Sequence, residues 1–205
     1  MNQEVSEVSN TIVKRVYYIL KIKNTSPILI SGGSENTDAD VMRNGKGEII
    51  IPGTSLAGAA RNYIDGKENL SSSLFGFSRD NDGKMSKVFI SDLVFSDNVK
   101  TDNRDNVKLD EDKQAVSKGK FDMEFLDVNA TGYLKVEYIQ REKDDNDENQ
   151  IMDIFRGIQR GDIRFGANKN RGFGFLKIEK CWKTEFSSTN VNEWLDFCKT
   201  MDDLM

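Results

Sequence analysis

The sequence predicts an α+β fold: a ferredoxin-like (RRM-like) βαββαβ core, an antiparallel sheet with helices on one face. Three observations predict it. Apolar and polar residues alternate from Thr11 to Asn24, the period of a half-buried strand. Two later segments instead repeat apolar residues at helical spacing. In chain order the elements read strand, helix, strand, strand, helix, strand, the split βαβ plan.

Taken in order, "TIVKRVYYILKIKN" places Val13, Val16, Tyr18, Leu20 and Ile22 in the alternation of the first strand. A Gly-, Asn- and Asp-rich loop follows and is expected to be flexible. "IIIPG" reads as a short strand ending in a turn. "TSLAGAARNYIDG" reads as a helix capped by Thr54 or Ser55 and ended by Gly66, with Leu56, Ala60 and Ile64 on its buried face. "LSSSLFGFSRD" is a linker that offers Leu74, Phe75 and Phe77 to the core, and Lys87 to Asp97 reads as one strand.

The stretch from Asn98 to Gly119 is almost wholly polar, too charged to bury and too long for a hairpin turn. It is expected to be a projecting arm or a partly disordered loop. Two strands then flank the turn "NATG". "DENQIMDIFRGIQRG" forms the second helix, with Ile151, Ile154, Phe155 and Ile158 on one face. The glycine-rich "GANKNRGFGF" feeds the last long strand, and "NVNEWLDFCKTMDDLM" reads as a short amphipathic helix. RNA-recognition modules share this plan, but a fold does not give a function.

Composition narrows the chemistry. The 205 residues suit a single domain with insertions, and 31% charged residues against 37% hydrophobic ones require a heavily charged surface. The formal net charge of -5 argues against a non-specific nucleic-acid coat, though a local basic stripe can survive inside that sum. Histidine is absent, which excludes a Ser-His-Asp triad, a Cys-His pair and a His-rich zinc site. Cys181 and Cys198 lack CxxC spacing and read as buried thiols of a cytosolic protein. No apolar run reaches membrane-spanning length and the N-terminus has no signal-peptide core, so a cytoplasmic location is expected.

Two places could hold phosphates. At "IPGTSLAGAAR" a helix N-terminus offers free N–H groups, Gly53 permits close approach, Thr54 and Ser55 add hydroxyls, and Arg61 follows two turns on. The alternative is a capped helix whose small residues pack against the sheet. At "GANKNRGFGF", Gly166, Gly172 and Gly174 free the backbone and Lys169, Asn170 and Arg171 supply polar and positive groups. Arg156, Arg160, Arg164 and Lys177 extend a basic stripe that holds one acid, Asp162. The alternative there is a charged hairpin turn.

Together these stretches resemble the RAMP superfamily of CRISPR proteins, and in particular the backbone subunits of type III (Csm/Cmr-like) effector complexes. "IPGTSLAGAAR" looks like the family's "IPGSSLKGxxR" helix start, and "GANKNRGFG" like its glycine-rich loop. "LFG" at Leu74–Gly76 and "ISD" at Ile90–Asp92 fall in the expected order between them. The run from Val107 and Asp110 through Glu124 to Gly132 is similar to a segment of the backbone subunits. The resemblance spans about Val13 to Lys180.

It implies one RAMP domain over 1–205, with an inserted loop at about 31–47 and a thumb-like β-hairpin insertion at about 98–120. It implies a subunit that binds CRISPR RNA, meets target RNA, and assembles with copies of itself, similar backbone subunits and other effector subunits. RNA contacts would fall on Arg43, Gly53, Thr54, Ser55, Arg61, Lys169, Asn170 and Arg171. In relatives that cut target RNA, an aspartate in the loop before "IPG" carries the cleavage, within a pattern resembling "D-x-P-V-x-R-D". Here "TDADVMRN" puts Asp38 on that aspartate and Arg43 on the arginine; Asp40 replaces the proline, and Ala57 replaces the usual lysine of the helix start. Asp38 would hold a divalent metal such as Mg²⁺, completed by RNA phosphates, in an endoribonuclease reaction. The alternatives are a non-catalytic scaffold or capping subunit of the same complex, a stand-alone CRISPR RNA-processing endoribonuclease, and a protein-interaction module without RNA.

Overall fold

Alternation along β1 (Lys14–Asn24) sets the architecture. Val16, Tyr18, Leu20 and Ile22 point into the main core, while Tyr17 and Ile19 point to the opposite face. The computed structural model describes residues 12–31, 40–68, 74–79, 82–96, 99–141 and 147–187, together with Asp196 and Lys199. The elements that follow β1 are β2 (Ile50–Ile51), α1 (Gly53–Glu68), β3 (Phe77–Arg79), β4 (Asp82–Lys84), β5 (Val88–Ile90), β6 (Leu93–Phe95), β7 (Thr101–Leu109), β8 (Ala115–Leu126), β9 (Thr131–Gln140), α2 (Asp147–Arg160) and β10 (Leu176–Ser187).

The described chain is a mixed α+β fold. The main sheet has the strand order β10-β1-β9-β6-β2, with β5 also paired to β9, and every pairing is antiparallel. Both helices pack on one face. Leu56, Ala60 and Ile64 of α1 and Ile151, Ile154, Phe155 and Ile158 of α2 are buried against β1 and β9, as their spacing predicts. The helices also meet each other: a Cβ on Gly157 would lie 2.7 Å from the Tyr63 ring, so only glycine allows that approach. Tyr63 Oη accepts a hydrogen bond from Arg160 at 2.8 Å.

Several elements differ from the sequence reading. The strand expected over Lys87 to Asp97 is two strands, because three residues of this segment oppose two of β9 between the Ile90↔Val136 and Val94↔Tyr133 pairs. This bulge is fixed by Ser91, whose amide donates to the Lys135 carbonyl at 2.9 Å and whose Oγ accepts from the Lys135 amide at 3.0 Å. Helix α1 begins at Gly53, ahead of the proposed caps; the Pro52 carbonyl accepts from Ser55 and Leu56, and Thr54 and Ser55 are exposed in the first turn. Gly66 does not end α1, which continues to Glu68 because nothing forces that glycine out of the helical region. The stretch read as a linker contains β3, which pairs with β4 just beyond it.

The polar arm is an ordered hairpin. β7 and β8 form a two-stranded sheet of their own, closed by the turn Asp110–Gln114. Its base docks through a second apolar cluster of Leu29, Met123, Phe125 and Phe173. Asn24, fully buried, ties the neighbouring segments together: its Nδ2 donates to the carbonyls of Ser26 and Asp127, and its Oδ1 accepts from the Ala130 amide.

Cys181 is exposed on β10, an outer strand of the sheet, which corrects the expectation of a buried thiol; partial shielding still pushes its thiol pKa up. Cys198 lies outside the described residues, as does the expected C-terminal helix apart from Asp196 and Lys199. No helix among the described residues is long and apolar enough to cross a membrane.

Candidate nucleic-acid interface

The glycine-rich segment is built by backbone geometry that side chains would block. Gly166, Gly172 and Gly174 all have positive φ. A Cβ on Gly166 would meet the Leu29 carbonyl oxygen at 2.3 Å, and one on Gly174 the Phe165 carbonyl oxygen at 2.2 Å. These two glycines therefore serve close packing of the loop on its own chain. Gly172 differs: nothing lies within 4 Å of its added Cβ, and it closes a single 3-10 turn, Lys169–Arg171. The turn presents Lys169, Asn170 and Arg171 to solvent.

Arg164 supports that turn from beneath. Its guanidinium stacks 4.2 Å from the Phe175 ring centroid, and Nη1 donates to the Lys169 carbonyl at 2.9 Å. Elsewhere in the basic stripe, Arg156 pairs with Asp153 at 2.7 Å and Arg160 with Asp162 at 2.9 Å. Those charges are partly neutralised within the chain, so positive potential is weighted towards Lys169 and Arg171.

Opposite the turn stands α1. A groove of about 430 Å³ runs between them, lined on one wall by Ala59, Asn62 and Tyr63 and on the other by Arg164, Lys169 and Asn170. Of the two segments singled out as phosphate-holding, the first brings Ala59 to this groove and the second brings Lys169 and Asn170, while Gly53, Thr54, Ser55, Arg61 and Arg171 are not among its lining residues. Ser55 lies one turn before Ala59 on the same helix face. Arg61 does not join them: its Nη2 donates to the Gly76 carbonyl at 2.6 Å and ties α1 to the "LFG" stretch. Gly53 also has an internal task, since an added Cβ would lie 2.2 Å from the Ile90 carbonyl oxygen. Its amide donates to Asp92 Oδ1 at 2.8 Å, so a carboxylate already sits at the helix N-terminus.

The loop before α1 reaches the same region from the other side of the hairpin base. Arg43 pairs with Glu124 of β8 at 3.0 Å, and Glu124 Oε2 accepts from the Val41 amide at 3.2 Å. On the neighbouring residue, Met123 Sδ accepts from Asn168 Nδ2 of the glycine-rich loop at 3.5 Å. Isolated bridges Ser31↔Val41 and Arg43↔Ile49 hold residues 40–49 in place, so this part of the loop expected to be flexible is fastened. Asp40 is half-buried at its start, and Asp38 lies outside the described residues. Among the described residues no three acidic or cysteine side chains converge, so these residues alone do not build an Mg²⁺ site.

Asp92, Glu124 and Arg104 were not anticipated as parts of this region. Arg104 on β7 lies over the rings of Phe125 and Phe173, at 4.8 and 5.4 Å from their centroids, and clamps the hairpin to the glycine-rich loop. Only the "ISD" stretch and the run from Val107 through Glu124 to Gly132 pointed towards the first two.

Comparison with known proteins gives the family and the fold. The profile of the RAMP superfamily matches residues 21–177. No curated protein matches the chain by sequence. Among solved structures, the fold is similar to a chain of the type III-B Cmr-beta complex bound to cognate target RNA, determined by cryo-electron microscopy, with a TM-score of 0.65 and 15% identity. The similarity covers 83% of this chain and 61% of that one, so this chain spans about three fifths of its length. The chain belongs to the RAMP superfamily.

Proposed function

We propose that this protein is a CRISPR RNA-binding backbone subunit of a type III CRISPR effector complex, gripping a sugar–phosphate chain in the groove between α1 and the Lys169–Arg171 turn. The observation that carries this reading is the shared groove itself, with α1 side chains on one wall and Lys169 and Asn170 on the other. The family membership and the fold's likeness to a subunit of a target-RNA-bound type III-B complex support it. Base pairing between guide and target would supply sequence recognition, so the protein need only hold the backbone.

Within this reading, residues 1–205 form one domain with insertions at about 31–47 and 98–120. The strand order β10-β1-β9 followed by β5 and β6 supports a ferredoxin-like core. The separate β7–β8 hairpin is the thumb that displaces nucleotides of the guide–target duplex. Copies of the chain stack along the guide beside other effector subunits, in the cytoplasm.

Target cleavage belongs to the Asp38 loop. Asp38 either positions a metal ion or takes the proton from a 2′-hydroxyl as that oxygen attacks the adjacent phosphate in line; the bond to the 5′-oxygen breaks, and water protonates that leaving oxygen. A bound Mg²⁺ would stabilise charge on the phosphate, held by Asp38 and RNA oxygens together.

Arg171→Ala should weaken RNA binding and reduce the slope of log affinity against log salt by about 1. An unchanged slope removes Arg171 from the contact set. In a reconstituted complex Asp38→Ala should abolish target cutting and leave guide binding intact. Continued cutting at the same positions eliminates Asp38 as the catalytic residue, and Asp40→Ala then tests its neighbour.

A further inference from the structure

The face of the sheet opposite the helices is lysine-rich at one end. β9, β1 and β10 lie side by side, and their register sets side chains in rows across them. Successive rows on this face are Thr131–Lys23–Lys177, Tyr133–Lys21–Lys180 and Lys135–Ile19–Trp182. Lys135, Lys177 and Lys180 are exposed, and Lys21, Lys23, Tyr133 and Trp182 are half-buried. Five lysines thus share one surface with two aromatic rings, in a chain whose formal net charge is -5.

Like charges directly opposite each other destabilise a sheet. Here Lys23 faces Lys177 and Lys21 faces Lys180. Among the described residues, the pair of Lys21 with Glu179 at 3.4 Å is the only ion pair these five lysines form. A bulge at Glu179 completes the cluster. Residues 177 and 180 would otherwise point to opposite faces, and the extra residue turns both to this one. Lys180 Nζ then lies 5.9 Å from the centroid of the Trp182 ring. Lysines on an outer strand can serve simply to block edge pairing. That does not account for Lys21 and Lys23, because β1 is flanked by β10 and β9. A hollow of about 530 Å³ joins Lys23 and Lys177 to Thr25 and Asn129. A second, of about 740 Å³, is lined by Ile19, Tyr133 and Lys135 but also by the acids Glu48 and Asp92. Positive charge is therefore concentrated towards Lys23 and Lys177, and the rings lie towards the other end.

We propose that this surface is a second nucleic-acid site, taking a single strand with its phosphates along Lys21, Lys23, Lys177 and Lys180 and its bases stacked on Trp182 and Tyr133. Lysines alone suit any polyanion; aromatic rings set among them suit one that carries flat bases. The site shares no lining residue with the groove beside α1, and it holds whether or not that groove takes RNA.

The test is titration of the full chain with a fluorescent oligouridine of about 12 nucleotides at several salt concentrations. A Lys169→Ala/Arg171→Ala background weakens the groove side, so failure here leaves the groove reading untouched. In that background Lys23→Gln/Lys177→Gln should reduce the slope of log affinity against log salt by about 1.4, the sum for two phosphate contacts on a single strand. Trp182→Ala should weaken binding roughly 5- to 100-fold at fixed salt, and Trp182→Phe should restore most of it. An unchanged slope and affinity in the lysine variant would overturn the proposal, even if Trp182→Ala unfolds the protein. So would the absence of any binding by the background protein. Equal competition by poly-glutamate of matched charge, the same with Trp182 and with Trp182→Ala, would make an acidic protein segment the occupant and would overturn it as well.

Discussion

The carboxylate of Asp92 accepts a hydrogen bond from the backbone amide of Gly53 at 2.8 Å, so the bulge between β5 and β6 caps the first helix. One side chain thus joins a sheet irregularity to a helix terminus and fixes how α1 enters the fold. Asp92→Ala should lose roughly 0.5–2 kcal/mol, the usual range for a lost cap, and Asp92→Asn much less. Chemical denaturation of the three proteins measures the difference. Asp92→Asn should also tighten RNA binding at low salt, because it removes a negative charge from the helix start while keeping an acceptor.

The two glycines of "GTSLAG" should respond in opposite directions. Gly53→Ala drives a methyl group into the Ile90 carbonyl and should cost about 1–3 kcal/mol or more. Gly58 is exposed in the helix interior with nothing within 4 Å of an added Cβ, so Gly58→Ala should stabilise by about 0.5–1 kcal/mol. Thermal melts separate the outcomes. If Gly58→Ala stabilises the fold but weakens RNA binding, the ligand approaches the α1 backbone at that point.

Lys87 and Asp147 form a buried ion pair at 2.5 Å, their side chains 6% and 5% exposed, joining the start of β5 to the first residue of α2. Lys87→Met should destabilise by about 3–5 kcal/mol, because it removes the ammonium that balances a buried carboxylate. The double variant Lys87→Met/Asp147→Leu should recover most of that loss. Urea titrations of the single and double variants read the coupling directly.

Glu148 gives the fold an acid-sensitive joint between α2 and the sheet. Burial raises its carboxyl pKa, but the hydrogen bonds from Lys183 and Tyr18 outweigh burial and hold it below the ordinary carboxylate value. With the folded value depressed, its contribution to stability is fully present above the unfolded value of roughly 4.3 and disappears as pH falls through the lower folded value. Glu148→Gln should therefore lower the melting temperature at pH 7, and the deficit should shrink below about pH 4. A constant deficit from pH 7 to pH 3 would exclude this linkage.

How much was legible in the sequence depended on how local the cause was. The buried stripes Leu56–Ala60–Ile64 and Ile151–Ile154–Phe155–Ile158 follow from periodicity within each helix, and the structure buries every one of them. The split between β5 and β6 has its cause in β9, which is distant in sequence and supplies one residue fewer than the segment it pairs with. Strand β7 left no apolar alternation to read, because it is polar on both faces along most of its length, whereas β8 alternates through Phe121, Met123 and Phe125. For the site, sequence named Lys169 and Asn170, which line the groove, but not Asn62 and Tyr63 of the facing helix, and it could not divide the glycines and arginines by task. Gly53, Gly166 and Gly174 meet backbone carbonyls, whereas Gly172 faces open space, and Arg61 serves the Gly76 carbonyl. Those roles depend on which backbone lies opposite, and no spacing rule encodes that.

Because no other strand among the described residues pairs with the outer part of the β7–β8 ladder, its length is an adjustable dimension. Inserting or removing residues in matched pairs near Asp110–Gln114 would move the tip by about 3.4 Å per residue on each strand, leaving the hydrogen bonding of the larger sheet untouched. Evolution or an engineer could recut this arm to a new reach without refitting the body that carries it.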